Sequence, residues 1–234
     1  MKKVAMKAVV ATALMALVSA PAVRAAEATV GVDVSSAYVW RGITLNDGFV
    51  AQPYLEVSGL PIDIGVWGNL DIEDYDGALK EGEFSEVNFY LSYALPIEGV
   101  DVAIGYTEYV YPNAEAEADR EVNLTLGLDL PLAPTLGLYY GVDGAAKENF
   151  YAEFGIGHDL EIDENLTLSL GALIGYLYPD EGEDGFHQYE LSASLTYDFV
   201  TLGVKYIGQA DDKVLTDDLY DVEVVGTLSL SYTF

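Results

Sequence analysis

The chain has 234 residues, with 39 acids against 10 bases, a net charge of −29 and no cysteine. That charge excludes an electrostatic grip on nucleic acid or on an anionic membrane surface, and the missing thiols exclude cysteine nucleophiles and thiolate metal sites. Beyond the first residues no stretch approaches 18 consecutive apolar residues, so no membrane-spanning helix is expected.

The first predicted element is a secretory signal peptide over residues 1–25. Lys2, Lys3 and Lys7 precede a short apolar run, and small residues around Ala25 mark a cleavage point. Residues 1–25 also hold Arg24 and no acid, so their removal takes the net charge from −29 to −33. Twelve strand-like segments follow, at about 28–40, 50–58, 61–70, 84–94, 99–109, 119–130, 135–142, 148–159, 166–177, 187–198, 200–208 and 218–234. Apolar and polar residues alternate within each, as in Val122-Asn123-Leu124-Thr125-Leu126 and Leu228-Ser229-Leu230-Ser231-Tyr232-Thr233-Phe234. Successive strand side chains face opposite sides, so every segment has one apolar and one polar face. Short connectors alternate with longer acidic ones, the pattern of periplasmic turns and outer loops. Aromatic residues gather at strand ends. Tyr38, Trp40, Tyr106, Tyr109, Tyr111, Tyr176, Tyr178, Tyr206 and Tyr220 lie toward the loops. Tyr93, Tyr197, Phe199, Tyr232 and Phe234 lie toward the turns.

The fold class expected is all-β: a transmembrane antiparallel up-and-down barrel of twelve strands over residues 26–234, in the bacterial outer membrane. A wet lumen, strand lengths that suffice to cross when tilted, and two aromatic girdles weigh against a soluble β-sandwich. Taking the apolar face as lipid-facing assigns Asp33, Arg41, Glu56, Asp63, Asp101, Glu121, Asp129, Glu153, Glu190, Lys205 and Glu223 to the lumen as the solute path. Gln52, Asn88 and Asn123 share that face. So do ten glycines, including Gly31, Gly65, Gly105, Gly137 and Gly175. They either relieve curvature strain or leave room for water and solute. Twelve tilted strands give a backbone diameter of roughly 24 Å, wide enough for a bore of roughly 10 Å if no loop folds in. Such an acidic wall favours cations or polar uncharged solutes. Arg41 and Lys205 are expected to compensate neighbouring carboxylates or to mark a constriction.

Signs of catalysis are weak. His158 and His187 fall at opposite ends of their strands, no Ser-His-acid arrangement is indicated, and an enzyme is not expected. The segment 72–83 places Asp74, Asp76, Gly77 and Glu83 at calcium-loop spacing, but Ile72 stands where the first acid is required. Neither a metal nor a cofactor is therefore predicted. The expected partners are outer-membrane lipid and lipopolysaccharide, the barrel-assembly machinery through the C-terminal strand ending at Phe234, and small solutes.

Ser36-Ala37-Tyr38-Val39-Trp40-Arg41-Gly42-Ile43-Thr44, followed by Phe49-Val50-Ala51-Gln52-Pro53, resembles the first hairpin of the TorF-like porin family. The resemblance covers about 20 residues, together with the barrel pattern and the terminal Phe. It implies a bacterial outer-membrane barrel and a structural corner at the outer rim formed by Tyr38, Trp40, Arg41 and Gly42. It supplies no catalytic or binding residues. Two functions follow: passive diffusion of small polar or cationic solutes, or a non-conducting barrel acting through acidic loops as receptor, adhesin or envelope element. Whether the loop 71–83 or 179–185 folds into the lumen separates them.

Overall fold

The computed structural model describes residues 26–234; the predicted signal peptide, residues 1–25, lies outside them. In chain order the strands are β1 (Glu27–Ser35), β2 (Tyr38–Trp40), β3 (Ile43–Asn46), β4 (Val50–Ser58), β5 (Asp63–Asp71), β6 (Phe84–Leu95), β7 (Asp101–Val110), β8 (Asp119–Gly127), β9 (Thr135–Asp143), β10 (Phe150–Asp163), β11 (Leu166–Tyr178), β12 (Gly185–Tyr197), β13 (Val200–Gln209) and β14 (Val224–Thr233). Twelve of them close a barrel in the order β1-β14-β13-β12-β11-β10-β9-β8-β7-β6-β5-β4, every neighbouring pair antiparallel. Closure leaves no unpaired sheet edge, which a wall in hydrocarbon cannot tolerate. β2 and β3 form a separate two-stranded sheet.

The expected strands agree with the wall to within about four residues at each end except at two places. The segment 28–40 stops at Ser35, and 218–234 begins only at Val224. β1 passes directly to β4, paired without interruption from Glu27↔Ser58 to Ser35↔Val50. The residues between them leave the wall as the β2–β3 hairpin, and residues 210–223 form a long loop that packs against it.

Register fixes the two faces. Val30, Val34, Leu55, Phe89, Leu91, Ile174, Leu191, Leu202 and Leu228 stand exposed outside. In water such a continuous apolar band would be an aggregation surface; against acyl chains it is the expected exterior. The turn-side girdle is present, with Tyr197, Phe199, Tyr232 and Phe234 exposed. The loop-side girdle is smaller than expected. Tyr38, Trp40 and Tyr109 are not lipid-facing but meet inside the lumen, with Tyr38 against Trp67 at 5.5 Å and Trp40 against Tyr109 at 5.9 Å.

The packed interior lies in the loop-side half. Its fully buried residues are Val50, Asn69, Asp71, Tyr151, Gln188, Ile207 and Leu215. The turn-side half holds a cavity of about 740 Å³ beside Asp101, Ala103, Thr125, Gly127, Gly137 and Glu153. The inward glycines serve two ends. Those at 31, 65 and 175 lie directly beneath the rings of Tyr54, Tyr90 and Tyr151, where a Cβ would overlap the ring. These glycines seat aromatic rings against the wall rather than widening the bore. Near the turns Gly203 has nothing closer than 3.8 Å to an added Cβ, and there the missing side chains do leave room.

Candidate functional site: a hairpin braced across the lumen

The site begins with a turn. Arg41 and Gly42 join Trp40 to its partner Ile43, and both have positive φ, 50° and 80°. Two left-handed residues in succession are what a tight two-residue hairpin requires, because that backbone twist matches its strands. Gly42 is needed for a second reason. A Cβ there would overlap Oε1 of Gln188 and lie 2.9 Å from Leu215.

The hairpin is held along its length. The Tyr38 hydroxyl donates to Glu86 at 3.1 Å and Asn46 donates to Asp71 at 2.7 Å. From the loop 210–223, Leu219 accepts the Thr44 N–H at 2.8 Å, and Val222 donates to the Thr44 hydroxyl at 3.0 Å. Ala37, Ile207 and Val225 form a small apolar cluster under Val39, Tyr220 and Val222. Burial, then the charge and hydrogen bond of Glu86, push the Tyr38 hydroxyl well above its ordinary pKa, so it remains a neutral donor.

At the tip, Arg41 reaches the far wall. Its guanidinium donates to both Glu121 oxygens, at 2.8 and 2.9 Å, and only 13% and 5% of the two side chains are exposed. It also lies 4.4, 4.4 and 4.3 Å from the ring centroids of Trp40, Tyr139 and Tyr151. Glu121, Tyr139 and Tyr151 stand on β8, β9 and β10, and β9 is six strands from β1 in either direction. The hairpin therefore crosses the full width of the barrel. Burial alone would lower the Arg41 pKa, but the Glu121 hydrogen bonds and charge outweigh it and raise it. Removing one partner of a buried pair of this kind costs about 3–5 kcal/mol, because the other is left uncompensated.

Beside the tip is a hollow of about 300 Å³ whose lining includes Trp40, Arg41, Glu86, Tyr109, Tyr111, Asp119, Glu121, Tyr151 and His187. Three carboxylates face one guanidinium there. Glu86 is bonded by Tyr38 and Asn88, and Asp119 by Tyr111 and the Ala146 N–H. Nδ1 of His187 is buried and bonded to no protein atom.

The residues assigned to the lumen fall into groups. Arg41 and Glu121 make the brace, and Lys205 meets Glu190 at 3.3 Å, so each inward base has an acid. Glu56 accepts from Tyr90 and Glu153 from Tyr139. Asp33 lies on the inner wall between Gln52 and Ser229, and Asp101 sits at the turn end opposite Gly127. Asp63 caps the β4–β5 turn by accepting the Gly59 N–H. Two assignments are corrected. β8 ends at Gly127, so Asp129 lies in the exposed turn beyond it, and Glu223 precedes β14 as an exposed rim residue. The implied outer-rim corner at Tyr38, Trp40, Arg41 and Gly42 is instead an inward hairpin. The occluding loop is 36–49; the loop 71–83 only leans on its base, where Ile72 and Glu73 donate to Phe49 O. His158 is exposed on the outer face, whereas His187 is buried within.

Tyr139, Tyr151, Glu86 and Gln188 escaped the sequence reading. A signal for the two tyrosines existed: Tyr139 shares a strand face with Gly137, and Tyr151 with Glu153, which places both rings on the polar side.

The bacterial family of unknown function Gcw_chp matches residues 19–139, just over half of the chain. The chain belongs to this family. No curated protein matches it by sequence. Among solved structures, a membrane protein from work on in-meso crystallization is similar at a TM-score of 0.52 and 10% identity, over 89% of this chain and 84% of that one. The NanC porin is similar at a TM-score of 0.50 and 12% identity, over 86% and 98%. Omp33 of Acinetobacter baumannii matches at 0.47 and 11%, over 89% and 97%. The Gcw_chp match ends within β9 and so includes the hairpin, Glu121 and Tyr139. With its closed wall and apolar exterior, this Gcw_chp chain is an outer-membrane barrel of porin-like fold.

Proposed function

We propose that the barrel is a passive channel for small polar or cationic solutes, with the β2–β3 hairpin as its constriction. One observation carries this reading: inside a closed wall, the turn-side half holds a cavity of about 740 Å³ into which three carboxylates, Glu98, Asp101 and Glu153, and no base are set. A purely structural barrel has no need of such space. The likeness of the first hairpin to the TorF-like porins and the porin fold of the neighbours support the same reading. No catalytic step is invoked. Lipid and lipopolysaccharide surround the wall, and the strand ending at Phe234 is the segment offered to the assembly machinery.

The hairpin also favours a second reading, a non-conducting barrel that acts through its acidic loops. Planar-bilayer recording decides between them. The channel reading expects small cation-selective steps that grow several-fold when 38–46 is replaced by a short Gly-Ser link. A folded variant that stays sealed without the hairpin overturns it.

A further inference from the structure

The guanidinium of Arg41 occupies a receptor that the wall builds without it. Glu121, Tyr139 and Tyr151 belong to strands β8, β9 and β10, whose pairing with one another does not involve the hairpin. Two oxygens of one carboxylate face the planar fork, and two rings lie within 4.4 Å of its carbon. This is the recognition chemistry of a guanidinium: bidentate hydrogen bonding combined with cation–π contact. The hollow beside it is lined by Glu121, by the rings of Trp40, Tyr109 and Tyr111, and by Ala145, Ala146 and Asn149 from the β9–β10 loop. Its carboxylates outnumber its cations, and the buried Nδ1 of His187, bonded to no protein atom, is available to a hydrogen-bond donor.

We infer that the far-wall cage of Glu121, Tyr139 and Tyr151 is a binding site for guanidinium-bearing solutes, and that Arg41 is a tethered competitor filling it. Arriving solute and tethered arginine exclude one another, so solute binding releases the hairpin tip. The inference deepens the channel reading by naming its solute class and rests on that reading for its transport meaning alone.

The test separates the two. Arginine amide is titrated by calorimetry into detergent-folded wild type, Arg41→Ala and Arg41→Ala/Glu121→Gln, with glucose and KCl as control solutes. Single-channel current of Arg41→Ala is recorded separately. Saturable binding to R41A at least tenfold tighter than to wild type, and at least tenfold weaker again in the double variant, is expected. Equal binding by R41A and the double variant, or no binding, overturns the cage. Binding without current sinks the channel reading and leaves the cage standing; current without binding does the reverse. If R41A does not fold, Gly42→Ala takes its place, since it displaces the turn while leaving the wall residues intact. Tighter binding than wild type is then the expected result, and unchanged binding overturns the inference.

Discussion

At the scale of single residues, Gly42 and Arg41 determine whether the lumen is obstructed. Alanine at 42 would hold a Cβ in a left-handed conformation and against Gln188 and Leu215, at a cost of roughly 1–3 kcal/mol. The barrel wall does not depend on that turn. Gly42→Ala should therefore leave far-UV circular dichroism nearly unchanged and lower the unfolding midpoint, while raising mean conductance several-fold. A variant with wild-type conductance would show that the turn is not what blocks the bore. The Tyr38 hydroxyl is held neutral by burial and by Glu86, so Tyr38→Phe should cost about 1–2 kcal/mol through a carboxylate left short of a donor. The readout is faster limited proteolysis within 36–49, with the remainder of the chain protected.

At the scale of elements, the wall was readable and the hairpin was not, for a physical reason. Lipid on one side and polar contents on the other impose strict alternation, so twelve strands and most of their ends follow from a pattern of period two. The hairpin obeys the same alternation, which is why residues 38–40 merged with β1. Only its turn distinguishes it, and that turn uses Arg-Gly where Asn-Gly would have been recognised. Seven lumen assignments need only strand parity: Asp33, Glu56, Asp101, Glu121, Glu153, Glu190 and Lys205. Asp129 and Glu223 failed because parity says nothing about where a strand ends. The brace was not legible at all, since Arg41 and Glu121 are 80 residues apart and meet only once the barrel closes. Seats of Tyr on Gly join neighbouring strands in another way. Tyr90→Ala would uncover Gly65 and release Glu56, and should lower stability in urea by about 1–3 kcal/mol for a lumen-facing ring. No shift in the urea midpoint would reduce those seats to coincidence.

At the scale of the molecule, the charge is uneven along the bore. Both inward bases are paired, so the field of the open half comes from acids such as Asp101 and Glu153. Neutralising both, as Asp101→Asn/Glu153→Gln, should bring the potassium-to-chloride permeability ratio toward unity, measured as a shift in reversal potential under a salt gradient. An unchanged ratio would place selectivity elsewhere. The hairpin has a mechanical meaning as well. A cylinder one sheet thick resists bending poorly where nothing fills it, and here a strut runs from the root of β1 to the strands diametrically opposite. It ties the two sides of the loop-side mouth together through Arg41 and Glu121. Withdrawing the strut removes a link across that mouth, so permeability and the stiffness of the mouth should change together.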